Sequence, residues 1–168
     1  MSELHNETLT YEKVLTMFQE TDRKIGELGN RFGELAEHLV APGIVDKFNA
    51  LGFFFHKDAQ NAKYRDPVSK QILAEVDILL ENGDIVIAVE VKTKLSEKDI
   101  EKHIQRMEIL RRFADERGDK RKYRGALARA IVSSEAREYA LNAGFYVIEQ
   151  SGDTMKLEIP KDFVPREW

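Results

Sequence analysis

The chain has 168 residues, with 42% apolar and 33% charged side chains, and carries 26 basic against 30 acidic groups for a net charge of -4. That composition describes a folded globular domain and excludes a disordered chain or one drawn to nucleic acid by total charge. There is no cysteine, so thiolate chemistry and Cys-containing zinc sites are excluded.

From about Leu9 to Val40 a helical seam recurs in steps of three and four: Tyr11, Val14, Phe18, Thr21, Ile25, Leu28, Phe32, Leu35 and Leu39. This is an a/d seam, so a long helix able to dimerise is expected, or else one folded back on its own domain. Residues 1–30 are assigned to this helical arm and 31–168 to a globular domain. Pro42-Gly43 stops the long helix, and a short one follows from Ile44 to Leu51, ended by Gly52.

Phe53 to Asp58 reads as a first strand, followed by a polar connection through Asn61, Lys63, Tyr64 and Arg65 to Asp66-Pro67. The stretch Gln71 to Lys94, QILAEVDILLENGDIVIAVEVKTK, reads as a hairpin turned at Asn82-Gly83. With those two residues as the loop, Leu79 falls opposite Val86, Asp77 opposite Ala88 and Glu75 opposite Glu90. Strand alternation puts Glu75, Asp77, Leu79, Val86, Ala88, Glu90 and Lys92 on one face.

Three carboxylates and a lysine thus share a face, with cross-strand neighbours about 5 Å apart and diagonal ones about 7–8 Å. Opposed like charges destabilise unless a positive charge sits among them. Lys92 supplies one. Glu75, Asp77 and Glu90 present the hard oxygens that suit Mg²⁺ or Mn²⁺. A solvated sheet face is the alternative reading of the same residues.

After Lys94, Ser96 with Asp99 three residues on starts a helix running to about Gly118, with Ile100, Ile104, Met107 and Leu110 on its buried stripe. Lys120-Arg121-Lys122-Tyr123-Arg124 leads into a strand from Gly125 to Val132. A helix capped by Ser133 or Ser134 runs through Asn142, a strand covers Phe145 to Glu149, and an edge strand covers Met155 to Ile159. Between Lys92 and Arg129 thirteen basic residues stand against seven acidic ones, a local surface of the kind that handles nucleic acid or else a salt-bridged helix face. The four histidines, His5, His38, His56 and His103, show no ligand spacing and read as surface or filler residues.

Glu75-Val76-Asp77, a hairpin, then Glu90-Val91-Lys92 resembles the signature of the PD-(D/E)XK nuclease superfamily, whose members share a restriction-endonuclease-like or Holliday-junction-resolvase-like fold. Val76 stands where the family's proline would be. The resemblance implies an α/β domain of order α-β-β-β-α-β-α-β with a central mixed sheet, here preceded by a long N-terminal helix. It implies a Mg²⁺- or Mn²⁺-dependent nuclease acting on DNA phosphodiesters, with Asp77 and Glu90 holding the metal and Lys92 serving the chemistry. A glutamate on the helix before the first strand completes the family's site. Glu37 fits that role by its Gly33-x-x-x-Glu37 context, with Glu34 as the other candidate. Gln105 and Arg106 are candidates for support of the site. A second reading, from another class, is a nuclease-fold remnant that assembles as a homodimer through its helical arm. With no long apolar run and no signal peptide, the cytoplasm is the expected location.

Overall fold

The computed structural model describes residues 43–131, 133–151 and 154–168. The expected arm over 1–30, the seam from Leu9 to Val40 and the candidates Glu34 and Glu37 lie outside the described residues. In chain order the elements are helix α1 (43–50), strands β1 (Lys57–Arg65), β2 (Ile72–Glu81) and β3 (Ile85–Lys94), helix α2 (Glu97–Glu116), β4 (Lys122–Ile131), α3 (Ser134–Asn142), β5 (Tyr146–Ser151) and β6 (Thr154–Leu157).

The six strands form one mixed sheet in sequence order. β1, β2 and β3 are antiparallel neighbours, β3, β4 and β5 run parallel, and β6 returns antiparallel to β5. The two parallel connections are made by α2 and α3, as parallel strands require a crossover. The result is an α/β domain covered on both faces. Ile100, Met107, Leu110 and Ala114 of α2 and Ala140 of α3 pack with Leu79, Val86, Ala88, Leu127 and Phe145. On the other face Ile44 and Phe48 of α1 pack with Ile78, Leu80, Ile87, Val89, Ala126 and Ile148. Covering on both faces explains why Ile85-Val86-Ile87-Ala88-Val89 reads as a continuous apolar run rather than an alternating one. Among the described residues no helix is long and apolar enough to cross a membrane.

α2 begins as its sequence dictates. The Ser96 side chain accepts from the Asp99 N–H, and the Asp99 carboxylate accepts from the Ser96 N–H at 3.0 Å, a closed capping box. Its buried stripe differs from expectation at one position. His103, not Ile104, is fully buried between Ile100 and Met107.

The central hairpin departs from the expected register. Asn82 donates its N–H to the Ile85 carbonyl at 3.0 Å, and its Oδ1 accepts from the N–H groups of Asp84 and Ile85, both at 2.8 Å. The tip is therefore Gly83-Asp84, not Asn82-Gly83. Each residue of β2 consequently meets a partner two positions further along β3: Leu79 pairs with Ala88, and Glu81 with Val86. A shift of two does not by itself change the face of any side chain, whereas a shift of one would have reversed it. Asn82 is held in this role from outside the turn, since its Nδ2 donates to the Phe53 carbonyl at 2.7 Å.

The first strand also lies elsewhere than expected. It covers Lys57–Arg65, so the stretch read as a polar connection is strand paired with β2. Within this ribbon the alternation breaks once. Val76 joins Leu79 in the cluster beneath α2, while Ile78 and Leu80 lie in the other. Ala59 and Ala62 of β1 both pack against the α2-side cluster. Asn61, between the pairs Gln60–Ile78 and Ala62–Val76, has φ +52. That left-handed conformation is open to Asn at lower cost than to most residues, and it sits at the turn in the ribbon. Beyond the break Ala74 and Val76 are buried while Glu75, between them, is exposed. Glu75 therefore leaves the face that strand alternation assigned to it.

Candidate functional site

Pairing between β2 and β3 runs from Glu81–Val86 to Ile78–Val89 and then stops. The next residue outward on β2 is Asp77 and on β3 is Glu90. Asp77 Oδ2 accepts a hydrogen bond from the Val91 N–H at 2.8 Å, so a side chain satisfies a backbone donor at the place where the ladder ends. Asp77 is thereby fixed against the strand that carries Glu90, and its carboxylate acts on Glu90 as a neighbouring negative charge.

Glu90 is buried, at 7% exposure, which makes its surroundings decisive. Its Oε2 is 2.9 Å from Arg106 Nη1, and its Oε1 is 3.5 Å from Lys92 Nζ. Burial raises its pKa most. Arg106 opposes that rise, the neighbouring Asp77 adds to it, and Lys92 again opposes it, leaving the group pushed up to about 7. Lys92, two residues on, is half-buried on the same face.

Arg106 is held in place by a second residue. Its Nη1 lies 2.8 Å from His103 Nδ1, and His103 Nε2 lies 3.1 Å from the Ala88 carbonyl oxygen. A guanidinium only donates, so Nδ1 is the acceptor and Nε2 carries the proton that Ala88 accepts. Full burial, then the adjacent Arg106 charge, push the His103 pKa down to about 3, which keeps this ring neutral. The ring rests against Phe145, with centroids 4.9 Å apart. Gly125 makes room for the pair. A Cβ there would come within 2.4 Å of Phe145 Cε1 and 3.4 Å of His103 Nε2.

The structure thus brings together Asp77, Glu90, Lys92 and Arg106. Glu75 stands exposed on the far side of the break in β2, and Gln105 is exposed on α2. His103, read from the sequence as a surface or filler residue, is the buried tether of Arg106. Its spacing carried a signal: 100, 103, 107, 110 and 114 form the buried stripe, so position 103 faces the sheet.

Across the sheet, Lys92 is in register with Arg129 of β4. Arg129 is fully buried and pairs with Glu149 at 3.0 Å, and Glu149 also takes Arg137 of α3 at 3.2 Å. The cations at this end of the parallel strands are therefore of two kinds. Arg129 is occupied in joining β4 to β5, whereas Lys92 and Arg106 address the carboxylate pair.

Among the described residues no group of three His, Cys, Asp or Glu side chains converges as a metal cage. Asp77 and Glu90 are two hard carboxylates on facing strands, the donor set that Mg²⁺ takes when water and substrate phosphates complete its shell. In that sense the pair fits such an ion. No protein-family model and no curated protein matches this chain, so the chemistry of the site rests on its own geometry.

Proposed function

We propose that the chain is a metal-dependent nuclease of the PD-(D/E)XK type that hydrolyses DNA phosphodiester bonds. One observation supports this above the others: Asp77 and Glu90 face one another where β2 and β3 stop pairing, with Lys92 at 3.5 Å from Glu90. A fold that gathers two carboxylates at 7% exposure or in partial burial meets a repulsion that a bound cation relieves. The chain order α-β-β-β-α-β-α-β, followed here by a further strand, accords with the restriction-endonuclease-like reading.

In this reading Asp77 and Glu90 hold a Mg²⁺ or Mn²⁺ ion, with Glu37 as the further acidic candidate and Glu75 set aside by its exposed place beyond the break in β2. The bound ion would supply Lewis-acid polarisation of a phosphoryl oxygen and a lowered pKa for the attacking water. The chain's own part is positional. The Val91 N–H orients the Asp77 carboxylate, and Lys92 orients the water or stabilises the charge that develops on phosphorus. The DNA substrate, and a homodimer formed through residues 1–30, belong to the same proposal.

The test is cleavage of plasmid and linear DNA by the purified full chain with Mg²⁺ or Mn²⁺, beside Asp77→Asn. Cleavage that needs the metal and disappears with Asp77→Asn supports a nuclease. Metal-independent DNA binding without cleavage would favour the second reading, a binding and assembly module on a nuclease-like fold.

A further inference from the structure

The relay Ala88 carbonyl, His103, Arg106, Glu90 begins and ends on β3, two residues apart, and passes through one turn of α2. Each link restricts the next. His103 is fully buried, its ring is fixed by Phe145 and by the missing side chain at Gly125, and its acceptor nitrogen fixes the Arg106 guanidinium. Arg106 in turn directs Nη1 onto Glu90 Oε2 at 2.9 Å. A solvated helix arginine needs none of this support. Five donors on a long side chain usually find water.

We propose that Arg106, positioned by His103, is the resident cation of the Asp77–Glu90 pair and competes with a divalent metal for it. The proposal rests on reading that pair as a metal site. Arg106 and the ion address the same carboxylate, and both are positive. A divalent ion bound at Glu90 therefore either expels the guanidinium or binds against its charge. Arg106 sets how much metal the site requires, and His103 sets where Arg106 stands.

The experiment measures Mn²⁺ binding to the full chain by electron paramagnetic resonance at one fixed pH. Wild type is compared with Arg106→Gln, His103→Gln and Glu90→Gln. Arg106→Gln is expected to bind Mn²⁺ at least about tenfold more tightly, the loss of one hydrogen-bonded charge competitor. His103→Gln is expected to tighten binding in the same direction but less. Equal affinity in wild type and Arg106→Gln, or weaker binding in the variant, would overturn the competition while leaving the metal site standing. Binding by Glu90→Gln at the wild-type level, or no binding by any form at millimolar Mn²⁺, would sink the metal site itself and the competition with it.

A second readout needs no substitution and is indifferent to whether a variant folds. Mg²⁺ added to wild type should change the side-chain NMR signals of Arg106 and of the His103 ring together. Arg106 signals that hold still while Mg²⁺ binds would contradict its displacement.

Discussion

Asp77 and Val91 are joined by a side chain at the point where the backbones of their strands cease to pair: Asp77 Oδ2 accepts from the Val91 N–H at 2.8 Å. One carboxylate oxygen thus ends the ladder and sets the separation of β2 and β3. That gives Asp77 a structural task beside the chemical one. Asp77→Asn keeps an acceptor oxygen for Val91 and removes charge beside Glu90, so the apo protein should be as stable as wild type or more so. Asp77→Ala leaves the Val91 N–H without its partner and should cost about 1–3 kcal/mol. Urea unfolding of the two variants in chelator separates these outcomes.

The pH dependences that Glu90 and His103 give the metal-free protein are opposite in sign and offset each other between about pH 4.5 and 6.5, so the stability should be nearly flat there. Glu90 has its folded pKa raised from 4.5 to about 7, so its protonation stabilises the fold at low pH and this contribution is lost as pH rises through about 7. His103 has its folded pKa lowered from 6.5 to about 3, so its contribution is present above about 6.5 and is lost as pH falls below that. Glu90→Gln should remove the Glu90 loss between about pH 4.5 and 7, on the order of 3 kcal/mol for a shift of that size, so the variant's stability should rise with pH up to about 6.5 where wild type stays flat. Denaturant titrations from pH 4 to 8 would read this, and a variant whose stability stays as flat as that of wild type would show that Glu90 does not oppose His103.

Gly125 should tolerate no side chain. A Cβ would lie 2.4 Å from Phe145 Cε1, so Gly125→Ala must displace the ring that braces His103. Overpacking of this kind costs about 1–3 kcal/mol. Gly83, at the hairpin tip, has open space around it and serves as the comparison. A Gly125→Ala protein with the wild-type urea midpoint would show that the core yields there at no cost.

Much of this arrangement was legible in the residues. The strand and helix order from Gln71 onward follows from periodicity, whereas the first strand was read too early, and Ser96 with Asp99 marks the start of α2 correctly. The Asp77, Glu90 and Lys92 constellation survives an error in the turn, because a two-residue shift preserves faces. The turn itself was missed through Asn82. Its side chain takes the place of a backbone acceptor for two N–H groups, and a dipeptide rule sees only the φ preferences of Asn-Gly. Glu75 was misplaced because strict alternation cannot foresee a left-handed Asn61 on the neighbouring strand. His103 was overlooked because its role is not ligation. Its neutrality depends on burial that only the packed helix creates.

Single-turnover cleavage of DNA in Mn²⁺ by wild type and Lys92→Ala tests the central claim most directly. Lys92 is half-buried and is not a metal ligand by type, so its loss should leave the fold and Mn²⁺ binding largely intact. Charge stabilisation in the transition state is worth about a hundredfold or more, so the cleavage rate should fall by at least that factor. Exposed Lys94, two residues on, should change little when replaced. Cleavage by Lys92→Ala at the wild-type rate, with the activity shown to be intrinsic by its loss in Glu90→Gln, would contradict the role given to Lys92. Wild type that binds Mn²⁺ and DNA yet never cuts would contradict the nuclease.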